Sequence, residues 1–359
     1  MSPASTEQFL LEQYTGHPAS QLQDLRKALY QSVFGCEHLI ADTSAAAEGI
    51  RREAAEAGPC SREIEALDGP WSRVQLGVLA SSPYRSLTAK NRCIFARSAA
   101  MPHGDADALQ EKLTVLRRLI RSGALPYSPA EADAELDDWR KNGFPVCRHS
   151  EEYRAAYRPA YRVLHRTYVR LLPLLAAIDQ ALAENPRVLL AIEGGAASGK
   201  STLADLLTAI YPDTALFHAD DFFLRPEQRT AARYAQPGGN LDRERLESEI
   251  LIPISRNEAA VYRLFDCRTL SLREPVTVLP GRLNIVEGSY SFHPELARYY
   301  DLSVFLDISP ETQRSRILER NGPEWGQQFF DRWIPLEQTY FHETDTQGRC
   351  TLTLKEEIR

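Results

Sequence analysis

The stretch Ile192-Glu193-Gly194-Gly195-Ala196-Ala197-Ser198-Gly199-Lys200-Ser201-Thr202 carries the spacing G-x-x-x-x-G-K-S. Glycines so placed let a backbone curl until its N–H groups point inward, and a helix that follows adds the positive end of its dipole. The lysine then reaches the outer phosphates of a nucleotide, and the serine hydroxyl ligates Mg²⁺. Gly194, Gly195, Ala196, Ala197, Ser198, Gly199, Lys200, Ser201 and Thr202 are therefore the expected cradle for the phosphates of ATP.

Other chemistry-bearing residues stand at regular places further on. His218-Ala219-Asp220-Asp221-Phe222-Phe223 sets two carboxylates beside aromatic rings, where a general base for an attacking hydroxyl would sit. Val286-Glu287-Gly288 offers an acid suited to Mg²⁺, directly or through water. Ser309-Pro310-Glu311-Thr312 reads as a helix start, and that helix carries Arg314, Arg316 and Arg320, guanidinium groups suited to charge on a transferring phosphoryl group.

The elements that must hold these residues are legible from residue 187 onward. Short β-prone runs at Val188–Ile192, Ala215–His218, Asn284–Val286, Ser303–Leu306 and Thr351–Leu354 alternate with helical patterns. That alternation predicts an α/β fold, a parallel sheet flanked by helices. Each acid or loop above follows one of these runs, and in such sheets ligands gather where strands end. Leu203, Leu206, Leu207 and Ile210 predict the helix after the loop.

The first half reads differently. Its periodicity is helical from Met1 to about Ala183, with few strand signals. Ser20 is the expected cap of a helix bearing Leu22, Leu25, Leu29 and Val33, ending near Gly35. Asp42 or Thr43 opens a polar helix through Glu53, and Asp105 opens one with Leu109, Leu113, Leu116 and Leu119. Ser128-Pro129-Ala130-Glu131 reads as a capping box, with Gly143 as the stop. The expected division is an α-rich domain over 1–149, a Tyr/Arg-rich connecting helix over 150–185, and an α/β domain over 186–359.

Within the connecting stretch, Arg154, Arg158, Arg162, Arg166 and Arg170 recur every four residues beside Tyr153, Tyr157, Tyr161, His165 and Tyr168. On a helix this makes adjacent Arg and Tyr stripes, though Pro159 forces a kink or a fresh start. Such a face fits a solvated or inter-domain surface, a phosphorylated ligand, or an RNA strand. His38 and His149 lack the spacing of metal ligands.

Bulk properties narrow the classes. A chain of 359 residues has room for two domains, and 43% hydrophobic with 25% charged residues is ordinary for a soluble protein. A net charge of −7 argues against nucleic acid or a membrane surface as the main partner. Residues 1–13 lack the apolar core of a cleavable leader, and no apolar run is long enough to span a bilayer. Cys36, Cys60, Cys93, Cys147, Cys267 and Cys350 form no C-x-x-C pair, so the expectation is a cytoplasmic protein with reduced thiols. An oligomer is compatible with all of this.

Residues 187–359 resemble the uridine kinase branch of P-loop kinases, a group that includes phosphoribulokinase, pantothenate kinase and P-loop glycerate kinases. The matching stretches are Gly194 to Thr202, Asp220-Asp221-Phe222-Phe223, Asn240-Leu241-Asp242, Phe265-Asp266, Val286-Glu287-Gly288 and Thr312 to Arg320. The resemblance implies that Asp220 takes the proton of a substrate hydroxyl, with Ser201 and Glu287 around Mg²⁺. It implies Asp242 on the hydroxyls of a ribose-like substrate, Asp221, Arg263 and Asp266 on the substrate side, and Arg316 and Arg320 in a mobile lid. One departure is Cys267-Arg268-Thr269-Leu270-Ser271-Leu272, which lacks the histidine that uridine kinases use to hold the base. Another is Glu324-Trp325-Gly326, where the lid of that family carries more charge.

The expected activity is ATP-dependent phosphorylation of a hydroxyl on a small molecule. The alternatives are an ATP-driven switch or assembly protein and a kinase of nucleic-acid 5′-hydroxyls. No N-K-x-D segment for guanine is present. The first half is expected to be a substrate-side or regulatory module.

Overall fold

The computed structural model describes residues 3–35, 49, 52–53, 64–77, 98 and 101–355. The chain divides into two compact units, Met1–Leu172 and Pro173–Arg359, a boundary that falls inside the expected connecting segment.

In the first unit, α1 (Pro3–Gly16) and α2 (Leu22–Phe34) precede strands β1 (Ile64–Ala66) and β2 (Trp71–Gln75). Helices α3 (Ala106–Arg121) and α4 (Pro129–Lys141) follow, and Leu10, Leu25, Leu29, Leu113, Leu116, Leu136 and Trp139 share one core. Leu22, Leu25, Leu29 and Val33 are all buried on α2, as are Leu109, Leu113, Leu116 and Leu119 on α3, so the apolar spacing marked the inward faces. Asp105 caps α3 by accepting from the Ala108 N–H at 3.0 Å. Ser20 does not cap α2; Asp24 reaches back to the Gln21 N–H instead. Ser128 makes no capping bond at α4, although Pro129 occupies the first turn as expected. Gly35 ends α2 at φ 63°, where an added Cβ would stand 2.6 Å from the Trp71 ring. The helix expected from Asp42 or Thr43 to Glu53 lies largely outside the described residues.

The connecting segment is not one helix. It runs as α5 (Glu151–Tyr157), β3 (Tyr161–His165) and α6 (Arg166–Glu184). Arg158 ends α5 in a left-handed conformation (φ 44°), and Pro159, which has no N–H, follows it. Strand β3 then pairs antiparallel with β2, completing a three-stranded sheet in the order β1-β2-β3. Alternation along a strand breaks the four-residue Arg register, so the paired Arg and Tyr stripes do not form. Tyr153 is buried and stacks on His149 at 4.2 Å, while Arg162 pairs with Glu53 at 2.7 Å.

The second unit is ordered β4 (Val188–Gly194), α7 (Lys200–Ile210), β5 (Thr214–His218) and a helix α8 (residues 243–255) with a π-helical turn at Glu247–Leu251. The antiparallel hairpin β6 (Ala260–Asp266) and β7 (Ser271–Val278) comes next. Then follow β8 (Leu283–Glu287), β9 (Leu302–Asp307), α9 (Pro310–Gln328), α10 (Ile334–Glu343) and β10 (Leu352–Lys355). Five parallel strands form the main sheet in the order β10-β9-β4-β8-β5. Every residue of β4 and β8 is buried, which is why those segments read as continuous apolar runs rather than alternating ones.

The register of the sheet is what assembles the site. Ile192 of β4 and His218 of β5 both stand opposite Glu287 of β8, so one row of residues marks the carboxyl edge of three adjacent strands. The phosphate-loop sequence leaves that edge after β4, and Ala219–Phe222 leaves it after β5 as a short 3₁₀ turn. Helix α9 breaks at Gly322 (φ 72°, ψ 171°) ahead of Pro323, and a π-helical turn, Phe329–Trp333, leads into α10. No helix among the described residues is long and apolar enough to cross a membrane.

Candidate active site

The loop after β4 is a tight cradle. Gly194 adopts φ 146°, and a Cβ there would stand 2.7 Å from the Leu306 carbonyl oxygen and 2.9 Å from the Ser198 hydroxyl. Ala197 holds φ 58°, a left-handed backbone that costs a non-glycine residue about 1 kcal/mol and is typical of functional loops. Gln313 and Arg316 of α9 brace the loop, donating to the Ala196 carbonyl at 2.9 Å and the Ala197 carbonyl at 3.1 Å.

Lys200 is poised but committed to its own loop. Its Nζ donates to the Gly194 and Gly195 carbonyls, each at 2.9 Å, and approaches the Ser289 hydroxyl at 3.4 Å. The buried Ser198 hydroxyl and the buried Arg316 Nη2 have no hydrogen-bond partner among the described residues, and both residues line the cleft above the loop. Unsatisfied donors in such a place are groups that an anionic ligand would satisfy.

Three carboxylates surround this cradle. Glu287, at the end of β8, accepts from the Ser201 hydroxyl at 3.2 Å and from His218 Nδ1 at 2.6 Å. The second contact, with its hydrogen bond to a carboxylate, raises the His218 pKa above its ordinary value. A hydroxyl beside a carboxylate suits Mg²⁺, which takes one or two protein oxygens and completes its shell with phosphates and water. Among the described residues no cluster of three or more His, Cys, Asp or Glu groups is arranged to hold a metal, so such an ion would rely on its ligand as well.

Asp220 stands at the carboxyl edge beyond β5, open to water in the cleft yet surrounded by its walls. That crowding raises its pKa, Lys200 opposes the shift, and Glu287 adds to it. A carboxylate with a raised pKa is a better proton acceptor once ionised.

Glu337 of α10 is the third acid, and the sequence reading missed it. It is 5% exposed, and its Oε2 accepts from the Ala196 N–H of the loop at 2.9 Å while Oε1 accepts from the Ser289 hydroxyl at 2.7 Å. Burial raises its pKa, against the pull of Lys200. The available signal was a glutamate inside an aromatic helix, Trp333-Ile334-Pro335-Leu336-Glu337-Gln338-Thr339-Tyr340-Phe341, spaced three residues before the buried Tyr340.

Loop and acids face one cleft of about 780 Å³, within the usual range for a small-molecule site. Its lining includes Ala196 to Thr202, Asp220, Glu287, Arg316 and Arg320. At its other walls are Arg229, Tyr234, Asn240, Cys267 and Leu270, with Trp333 and Phe329 from the segment before α10. The four residues placed on the substrate side by resemblance are not in this lining. Asp242 is 1% exposed and caps α8 through the Arg245 N–H at 3.4 Å, while its Oδ2 makes no hydrogen bond among the described residues and faces Arg225 Nε at 3.9 Å. Asp266 pairs with Arg273 at 2.8 Å, Arg263 donates to the Arg273 carbonyl at 2.7 Å, and Asp221 lies outside the cleft wall.

A parallel sheet whose central strand runs through a G-x-x-x-x-G-K-S loop into a helix defines a P-loop fold. Solved structures similar to this chain include a possible uridine kinase from Bacillus stearothermophilus, 20% identical with a TM-score of 0.39, covering 51% of this chain and 99% of that one. Another is a proposed fructose transport system kinase from a Silicibacter species, 22% identical with a TM-score of 0.40, covering 50% of this chain and 98% of that one. No protein-family model and no curated sequence matches the chain.

Proposed function

We propose that the second unit is a kinase that moves the terminal phosphoryl group of ATP to a hydroxyl of a small, nucleoside- or sugar-like molecule. One observation carries the reading: the phosphate-loop residues and Asp220 line the same cleft, so a grip for polyphosphate and a base for an alcohol share one space. Phosphoryl transfer asks a protein mainly for positioning and charge stabilisation, which this cleft supplies.

Each residue then has a task. The loop N–H groups and Lys200 hold the phosphates, with Lys200 exchanging its carbonyl partners for phosphate oxygens. Asp220 accepts the hydroxyl proton as the new oxygen–phosphorus bond forms and the bond to the leaving diphosphate breaks. Arg316, which donates to the Ala197 carbonyl of the loop, and Arg320, on the wall of the same cleft, offset charge on the transferring group. Mg²⁺, where bound, would be held by Ser201 and Glu287 and would neutralise charge on the phosphates. Asn240, Arg229 and Tyr234 give the acceptor its polar contacts and Leu270 an apolar one.

The test is ATP consumption by the full chain against nucleosides, sugars, pantothenate and glycerate. Turnover with at least one acceptor is expected; ATP binding without turnover on any acceptor would overturn the reading. Asp220→Asn is expected to lower kcat by about a hundredfold or more, the usual share of a general base, with little change in ATP affinity. Equal loss of both would disprove the base assignment.

A further inference from the structure

The first unit has a feature that the kinase reading does not use. A shallow depression of about 500 Å³ is lined by Lys27 of α2, Arg148 and His149 before α5, and Arg154, Arg158 and Pro159 at the end of α5. Four cations from three segments (α2, the stretch before α5, and α5 with its cap) converge on one concave surface.

These charges are not spent on each other's neighbours. The guanidinium groups of Arg148, Arg154 and Arg158 have no hydrogen bond or ion pair among the described residues. Lys27 donates to the neutral Cys147 carbonyl at 3.0 Å. Asp24, the acid beneath them, is 3% exposed and turned inward. It accepts from His149 Nδ1 at 2.8 Å, from the Ser150 hydroxyl at 2.6 Å, and from the Ser150 and Gln21 N–H groups at 3.0 Å each. Glu151 and Glu152 are exposed on the first turn of α5. Burial is the main cause that lowers the Lys27 pKa; Arg73 and Arg154 push the same way, against Cys147 and Asp24.

We infer that this depression is a binding site for a phosphorylated small molecule. Planar guanidinium forks match phosphate oxygens two at a time, and an ammonium at the floor adds a point charge. A cavity of this size takes one or two phosphoryl groups with a small organic body. The rings nearby are already occupied: Tyr153 lies flat on His149 at 4.2 Å, and Tyr157 stands edge-on to His17 at 4.8 Å. Among the described residues around the depression no free stacking platform remains for the bases of a nucleic acid, and the chain's net charge of −7 opposes a long polyanion.

The experiment is calorimetric titration of the full-length protein with pyrophosphate, in wild type and in three variants. Lys200→Ala weakens the cradle of the second unit and is expected to leave one pyrophosphate site. Arg154→Gln with Arg158→Gln, added to it, is expected to weaken that site about tenfold or more, the loss of a charge-assisted hydrogen bond. The same pair of changes alone should leave ATP affinity and the thermal midpoint unaltered, since neither side chain has a partner among the described residues. No residual site in Lys200→Ala, or a residual site indifferent to the Arg changes, would overturn the inference. So would tighter binding of a single-stranded oligonucleotide than of pyrophosphate through the same arginines. Co-sedimentation with vesicles containing phosphatidic acid, abolished by the Arg changes, would reassign the site to a lipid headgroup and overturn a soluble ligand.

Discussion

A carboxylate beside a phosphate cradle opposes an incoming polyphosphate, and Glu337 holds that place at 2.9 Å from the Ala196 N–H. Glu337→Gln keeps an oxygen for that N–H and removes the charge. Triphosphate binding is expected to tighten about tenfold, or ~1.4 kcal/mol, which calorimetry with an ATP analogue would measure. Weaker binding would mean that the charge instead holds the loop in shape. Asp220 makes a second expectation at this scale. Its pKa is raised by the surrounding cleft, and a base works only when ionised, so kcat/KM should fall with decreasing pH at a point above the ordinary aspartate range. A pH profile with no fall above that range would remove Asp220 from the role. The contrast between the two acids also explains what the sequence could reveal. The loop is legible because its spacing is itself the chemistry, and Asp220 because it follows a strand. Glu337 lies 141 residues beyond Ala196 and acquires meaning only when α10 is laid against the loop.

At the scale of elements, the parallel strands were readable because two covered faces demand unbroken apolar runs. The hairpin was not, since β7 is exposed along most of its length and its Ser271-Leu272-Arg273-Glu274-Pro275 sequence carries no buried face to alternate. Strand β3 was hidden by arginines at helical spacing, and only pairing with β2 overrides that pattern. Glu193 ties these elements together at the end of β4. Fully buried, it accepts from the N–H groups of Gly194, Tyr290 and Phe292 at 2.9, 3.0 and 3.0 Å and from the Tyr340 hydroxyl at 3.2 Å. Burial pushes its pKa up to about 7, although those N–H groups pull the other way. A folded state that keeps a proton which the unfolded chain loses near 4.5 is most favoured below that pH and loses the advantage as pH rises to about 7. The group should therefore lower stability by about 3 kcal/mol across that window. Urea unfolding at several pH values should show a shallower decline for Glu193→Gln than for wild type; parallel curves would contradict it.

For the whole molecule, the division at Leu172 and Pro173 decides which truncations are informative. Removing residues 1–149 takes away β2, the hydrogen-bonded neighbour of β3, and leaves Tyr161–His165 as an unpaired strand with buried Val163 and Leu164 uncovered. An exposed apolar edge invites association, so that fragment is expected to aggregate. A chain beginning at Pro173 carries no such remnant. It cuts α6, but leaves a proline at the start of the remaining helix, a position where its fixed φ and missing N–H cost little. Every residue lining the large cleft, from Ala196 to Glu337, is retained. Residues 173–359 should therefore stay monodisperse and bind ATP within about threefold of the full chain, a difference under ~1 kcal/mol. A larger loss in a folded fragment, checked by circular dichroism and calorimetry together, would mean that the first unit contributes directly to the nucleotide grip.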